Sequence, residues 1–250
     1  MARRPFRPRP ETLSSHAVVI VSLPDSPQAL AEATWPDLSP LYEALATAPL
    51  VDPKAWLAEW SDLEEIIEEA GTLAMIAYTC DTSDSAKEAA NLRWSSDIFP
   101  KAMEQGVRLA HRLLESGYSE PGLEAVLRGF RTDVEIFREE NVRLFSELET
   151  LVASYQKITG GLAVDWDGEQ KTIPQLQPYL KERDRAVRER AFRAGATAYL
   201  DRRDEMADLF DRMFAMRQEV AHNAGHPDFQ AYVFKAKHRF DYTPADCASF

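Results

Sequence analysis

Apolar residues recur at steps of three and four along most of this chain, the spacing of one face of an α-helix. The pattern is clearest after Asp52-Pro53, where Asp suits a helix cap and Pro the first helical position. Trp56, Trp60, Leu63, Ile67, Ala70, Leu73/Ala74 and Ala77 then form one stripe. Glu59, Asp62, Glu64, Glu65, Glu68 and Glu69 crowd the remaining positions and read as a solvated face. A second helix is expected from Ser83 or Asp84 to Gly117, with Ala89, Leu92, Phe99, Met103, Ala110 and Leu113 on its stripe. Pro100 inside it removes an amide donor and predicts a kink or break near residues 96–99.

A third stripe is longer. Leu123, Leu127, Phe130, Val134, Phe137, Asn141, Leu144, Leu148, Leu151 and Tyr155 keep a heptad-like rhythm, which predicts one continuous helical seam. Asn141 is its one polar member and reads as a register device or a bond to a neighbouring helix rather than a ligand. The rhythm then stops. Residues 158–173 carry β-type residues around Asp167-Gly168, a hairpin signal. Gly160-Gly161 lacks the further glycines and the Lys-Ser/Thr of a phosphate loop, and reads as a turn.

Pro174 opens a short helix to about Leu180, and Asp184 caps a long one. The stripe of that helix is Phe192, Ala196, Tyr199, Met206, Phe210, Met213 and Val220, with Arg203 and Arg217 on the same seam, snorkelling or ion-paired. Gly225 suits its left-handed closure. Residues 228–237 predict another helix. Thr243-Pro244 starts a last one six residues before Phe250, an element cut short. Upstream, residues 24–53 are proline-rich and read as an extended arm with one short helix. The fold class is therefore all-α, with long antiparallel helices and one small β-hairpin. Its expected divisions are a disordered tail and arm (1–34), an amino-terminal helical domain with the hairpin (35–183) and the start of a second helical domain (184–250).

Composition narrows the function. The 250 residues are 45 % hydrophobic and carry a net charge of −12. Such acidity argues against a nucleic-acid partner and against an anionic membrane surface. No apolar run reaches transmembrane length. The basic start around Arg3-Arg4 precedes an apolar run, 17–21, too short for a signal peptide, and reads as a disordered tail. Two cysteines, Cys80 and Cys247, are too few for a disulfide framework, and Cys80 is expected to be a small packing residue.

The candidate metal chemistry is thin. A zinc-protease helix needs His-Glu-x-x-His, and none of His16, His111, His222, His226 and His238 is followed by Glu. His222 and His226 are four apart, but Gly225 and Pro227 place His226 beyond the helix end. Glu219-x-x-His222 matches half of a di-iron bundle unit that must occur twice. The site reading is therefore no catalytic and no metal-binding residue.

Several segments nevertheless resemble one family. Residues 130–141 (Phe130-Arg131-Thr132-Asp133 through Asn141) and 155–161 with the hairpin resemble the amino-terminal helical domain of bacterial oligoendopeptidase F and its thimet-oligopeptidase-like relatives. Residues 185–225 and 232–242 resemble the start of the catalytic domain, and Trp35-Pro36-Asp37-Leu38 the opening arm. The resemblance covers about residues 35–250. It implies a cytoplasmic zinc peptidase for short peptides, with a helical shell around a deep channel and the zinc motif downstream of residue 250. It also implies that this chain, lacking that motif, binds no zinc and is inactive alone, with the missing carboxy-terminal catalytic part as a partner. The alternative is a free-standing helical interaction module.

Overall fold

The computed structural model describes residues 20–250. The expected tail, His16 and the apolar run up to Val19 lie outside the described residues. The fold is helical with a single hairpin, as expected: α1 (Trp35–Thr47), α2 (Pro53–Cys80), α3 (Ser85–Leu92), α4 (Phe99–Glu115), α5 (Glu124–Ile136), α6 (Glu139–Gly160), β1 (Ala163–Trp166), β2 (Glu169–Thr172), α7 (Ile173–Leu176), α8 (Arg185–Leu200), α9 (Arg203–Asn223), α10 (Phe229–Ala236) and α11 (Pro244–Ser249).

The caps follow the sequence. Asp52 accepts the amides of Lys54 and Ala55, both at 3.1 Å. Asp84, Asp184, Asp228 and Thr243 do the same for α3, α8, α10 and α11. Asp167 and Gly168 both take positive φ, 56° and 86°, the geometry of a tight hairpin turn. The hairpin pairs Ala163 with Thr172 and Trp166 with Glu169. Arg190 of α8 then staples it. Its guanidinium lies 4.0 Å over the Trp166 ring and forks onto both Asp167 oxygens at 2.7 and 3.0 Å.

Four expectations need correction. The proline-rich stretch is more helical than one short piece: a 3₁₀ turn (Pro27–Leu30) precedes α1, and α1 tolerates Pro40 in its interior. Its chain is also tied down, because the amides of Ile20 and Val21 donate to Glu59 at 2.8 and 3.0 Å. The long seam is two helices, not one. At Phe137–Arg138 the backbone turns extended, and Arg138 donates to the carbonyls of Glu135 and Phe137, closing α5 in place of a continued helix. The helix from Asp184 also breaks, at Asp201–Arg202, where Arg202 N–H bonds back to Tyr199. Finally, Cys80 is exposed rather than packed, because Tyr78 takes the buried position in the last turn of α2.

The break expected near Pro100 is present in a particular form. Residues Arg93–Ile98 wind as a π-helix between α3 and α4. Ser146 of α6 donates to the Ser96 carbonyl, supplying a partner from outside the helix.

The core has two main centres. Leu38, Tyr42, Leu45, Trp56, Leu63, Ile67, Trp94, Ile98, Leu109 and Leu113 join α1, α2, the π segment and α4. Ile136, Leu144, Leu148, Val220, Ala221 and Tyr232 join α5 and α6 to α9 and α10. Asn141 acts between helices as expected: it donates to the Val220 carbonyl at 3.0 Å and accepts from Asn223 at 2.9 Å. Tyr78 donates to the Ala153 carbonyl at 2.9 Å and links α2 to α6.

The stripe read for the long helix is covered only in part: Val220 is buried, Met206 and Met213 pack on the core, and Phe192, Tyr199 and Phe210 are exposed. Phe192 and Phe210 are 67 and 62 % exposed, and Leu200 and Phe214, outside that stripe, are 63 and 53 % exposed. Phe210 and Phe214 stack on one another at 6.1 Å. Of the two arginines on that seam, Arg203 pairs with Asp204 and Arg217 lies 5.8 Å over the Phe229 ring.

Candidate functional site

The inner face of α2 turns residues 64, 67/68, 71/72 and 75 toward α4 and α6, one helical stripe. Between them lies a cavity of about 610 Å³, walled by Ile67, Trp94, Phe99, Met103, Phe145 and Val152. A second hollow of about 390 Å³ continues it along α5 toward Tyr232 and Ala236 of α10. The two share Glu64, Glu68, Ala102, Met103 and Phe145. Both volumes lie in the range of small-ligand clefts.

Local structure explains the cavity. Gly71 has no side chain, so the Phe99 ring lies directly on the α2 backbone. The π segment carries Trp94 inward against Phe99, with ring centroids 5.9 Å apart. A π turn of this kind is frequent at functional sites.

The polar groups are of two kinds. Glu64, Glu68 and Glu149 face the apolar walls, and among the described residues no Lys or Arg lines the larger cavity. Glu64 accepts from Trp60 Nε1 at 2.9 Å. Burial nevertheless pushes its carboxyl above the ordinary value, against that bond. Glu149 is exposed as a residue, yet desolvation by the surrounding protein raises its carboxyl too, with Arg217 pulling the other way. The Tyr42 hydroxyl, fully buried beside Glu64, is raised by burial and has no hydrogen bond of good geometry. The second kind is unused donors. Trp94 is 1 % exposed, and its indole N–H has no acceptor among the described residues; neither does the Ser95 hydroxyl.

The sequence reading missed this site. It placed Glu64 on a solvated face, whereas Glu64 is half-buried, and Glu59 anchors the arm. The available signal was Trp60 and Glu64 at i, i+4 on the border of the stripe. The residues that the sequence did single out lie elsewhere. His222 Nε2 meets the Pro227 carbonyl at 3.2 Å, and His226 packs edge-on against Tyr232, 6.0 Å between centroids. His238 is committed to Asp133 at 2.7 Å, and His111 to Glu115 at 3.4 Å. Cys80 and Cys247 are free and exposed. Among the described residues no three His, Cys, Asp or Glu side chains assemble into a cluster suited to a metal ion. No described helix is long and apolar enough to cross a membrane.

Residues 31–129 match the Peptidase M3 N-terminal domain family. No curated protein matches the chain in sequence. Three solved structures share the fold. PZ peptidase A with a bound inhibitor is 16 % identical at a TM-score of 0.74, over 89 % of this chain and 40 % of its own. An oligoendopeptidase F from Bacillus anthracis strain Ames is 18 % identical at 0.74, over 86 % of this chain and 41 % of its own. A further oligoendopeptidase F is 20 % identical at 0.72, over 88 % of this chain and 39 % of its own. The chain thus spans about two-fifths of the length of the structures it matches. In sequence over residues 31–129, and in fold over most of its length, it is similar to the amino-terminal portion of the M3 oligoendopeptidases.

Proposed function

We propose that this chain is the amino-terminal helical part of a zinc-dependent oligoendopeptidase, and that its role is to wall the channel in which short peptides are held. The observation that carries the reading is the M3 match over 31–129 on a helical fold shared with two oligoendopeptidase F structures. The uncovered aromatic face of α8 and α9 supports it, since Phe192, Phe210 and Phe214 suit a face packed on further protein. With the reading go a cytoplasmic location and a zinc-bearing catalytic part outside these 250 residues. No step of peptide hydrolysis is assigned to residues of this chain, because none of its histidines precedes a Glu.

The test is elemental analysis of the purified 250-residue chain together with cleavage of a quenched fluorescent peptide, with and without chelator. The expected outcome is no stoichiometric zinc and no chelator-sensitive cleavage. Tightly bound zinc or chelator-sensitive turnover would overturn the division of labour. A protein that melts cooperatively, stays monodisperse and binds no hydrophobic dye would instead favour a free-standing interaction module.

A further inference from the structure

Three polar residues are buried among the described residues, and two of them are bonded. Thr132 donates to the Arg128 carbonyl at 3.0 Å, and Asn141 serves Val220 and Asn223. The third, Asn91 of α3, is 6 % exposed, and its carboxamide makes no hydrogen bond among the described residues. Asn91 lines the cavity of about 610 Å³. It differs there from the Trp94 indole nitrogen and the Ser95 hydroxyl, which are sealed from solvent, because its unbonded amide keeps accessible surface. A buried amide without partners is costly, and native chains keep few of them. The open side of this one gives on a cavity, where a partner can reach it.

The same end of the cavity holds a second free amide. Glu88, one turn before Asn91, pairs with Lys157 of α6 at 2.7 Å. Gln156, beside Lys157, also lines the cavity, and its side chain makes no hydrogen bond among the described residues. Apolar walls run on through Met75, Val152, Phe145 and Phe99. A carboxamide presents an acceptor and a donor side by side. Its match is a group with a donor and an acceptor on one edge. The N–H and C=O of one residue in an extended chain form such an edge, as in the doubly bonded pairs of an antiparallel ladder. Adenine offers one too. The phosphates of a nucleotide, however, would meet Glu64, Glu68 and Glu149 in a cavity that no described Lys or Arg lines.

We propose that Asn91 is a main-chain clamp: its carboxamide donates to the C=O and accepts from the N–H of one residue of an extended peptide, whose apolar side chains lie along Met75, Phe99, Phe145 and Val152. A clamp of this kind holds the backbone and leaves the choice of side chain to the walls. The inference rests on the channel reading for the choice of a peptide, and deepens it by naming the residue that would grip the chain.

The test is equilibrium binding to the 250-residue chain, which needs no zinc and no turnover. Failure of the clamp therefore leaves the peptidase reading standing, and zinc or turnover in this chain would leave the clamp standing. The probe is acetyl-Pro-Leu-Pro-dimethylamide, whose one N–H is that of Leu and whose second proline favours an extended Leu. Its control is the depsipeptide with an ester oxygen in place of that N–H. In a nitrogen–proton NMR titration the peptide is expected to bind about fivefold more tightly than the depsipeptide, the scale of one net hydrogen bond. The side-chain NH₂ pair of Asn91, assigned through bonds in the unmutated chain, should shift on saturation. Asn91→Leu keeps the branched shape and removes the unpaired amide, so it should fold at least as stably and bind the two probes equally. A merely structural Asn91 would leave the ratio between the probes unchanged. Equal affinities in the unmutated chain, no binding of either probe at millimolar concentration, an unmoved Asn91 pair, a preference that survives Asn91→Leu, a variant less stable than its parent, or adenosine moving that pair where the peptide does not would each overturn the proposal.

Discussion

Gly71→Ala sets two opposing effects against each other at the cavity floor. Gly71 lies inside α2, where Ala is favoured over Gly by about 1 kcal/mol in helix propensity. On that ground alone the variant should be more stable. But a Cβ at this position would run into the tip of the Phe99 ring, and would lie 2.8 and 3.0 Å from its Cε2 and Cε1. The ring must retreat by roughly 1.5 Å to restore ordinary contact. It is confined on one side by Trp94, 5.9 Å away between centroids, and open on the other to the cavity. Overpacking of this kind costs about 1–3 kcal/mol. Set against the propensity gain, the net effect is a destabilisation of about 0–2 kcal/mol, or up to about 8 °C in the melting midpoint for a chain of this size. Urea titration followed by circular dichroism measures it. A Phe99→Leu background removes the ring tip, so there Gly71→Ala should turn stabilising, and the double-mutant cycle isolates the contact. A rise in stability of about 1 kcal/mol for Gly71→Ala in the unmutated background would show that Phe99 does not press on α2 and would refute the packing argument.

Three further outcomes follow from the same structure. Burial raises the Glu64 pKa, so its contribution favours folding at low pH and is lost as pH rises through the folded-state value; Glu64→Gln keeps an acceptor for Trp60 and should gain stability over the parent between pH 4 and pH 7, and a pH-independent gap in urea midpoints would contradict this. Asn141→Ala removes the bond to the Val220 carbonyl and leaves the Asn223 amide without its acceptor, a loss of about 1–3 kcal/mol; Asn223→Ala should then add little, and strict additivity in the urea cycle would deny the coupling. Replacing Phe192, Phe210 and Phe214 together by Ser should lower anilinonaphthalene sulfonate emission while each change moves stability by no more than about 0.5 kcal/mol, whereas a collapse of the melting transition would mean the rings are packed after all.

What could be read from the sequence was whatever local chemistry decides. Asp52, Asp84, Asp184, Asp228 and Thr243 each satisfy helix amides within three residues of themselves, so they announce helix starts. Asp167-Gly168 announces its turn because both residues need positive φ. The break at Phe137–Arg138 was hidden because no Gly or Pro makes it; Arg138 closes α5 with its own side chain while the apolar rhythm runs on. Periodicity also states which residues share a face, not whether anything covers it. Phe192, Phe210 and Phe214 obey the rhythm as well as Leu144 and Leu148, yet the first three are exposed and the last two buried. Glu64 and Trp94 became a site only when α4 and α6 came to face α2, a matter of contacts far apart in sequence.

The π turn at Arg93–Ile98 has a consequence for how this chain can vary in length. Such a turn holds one residue more than the α-helix on either side of it needs. Deleting a single residue there would let α3 and α4 run together as one ordinary helix, with no loss of backbone bonding. The helix downstream would keep its phase, because the wider π winding turns through about the same angle with one residue more. Ala102, Leu109, Ala110 and Leu113, all buried, would stay in the core. The extra residue is thus slack in the chain, and a one-residue deletion elsewhere in α3 or α4 would be harmless only if the π turn moved to absorb it.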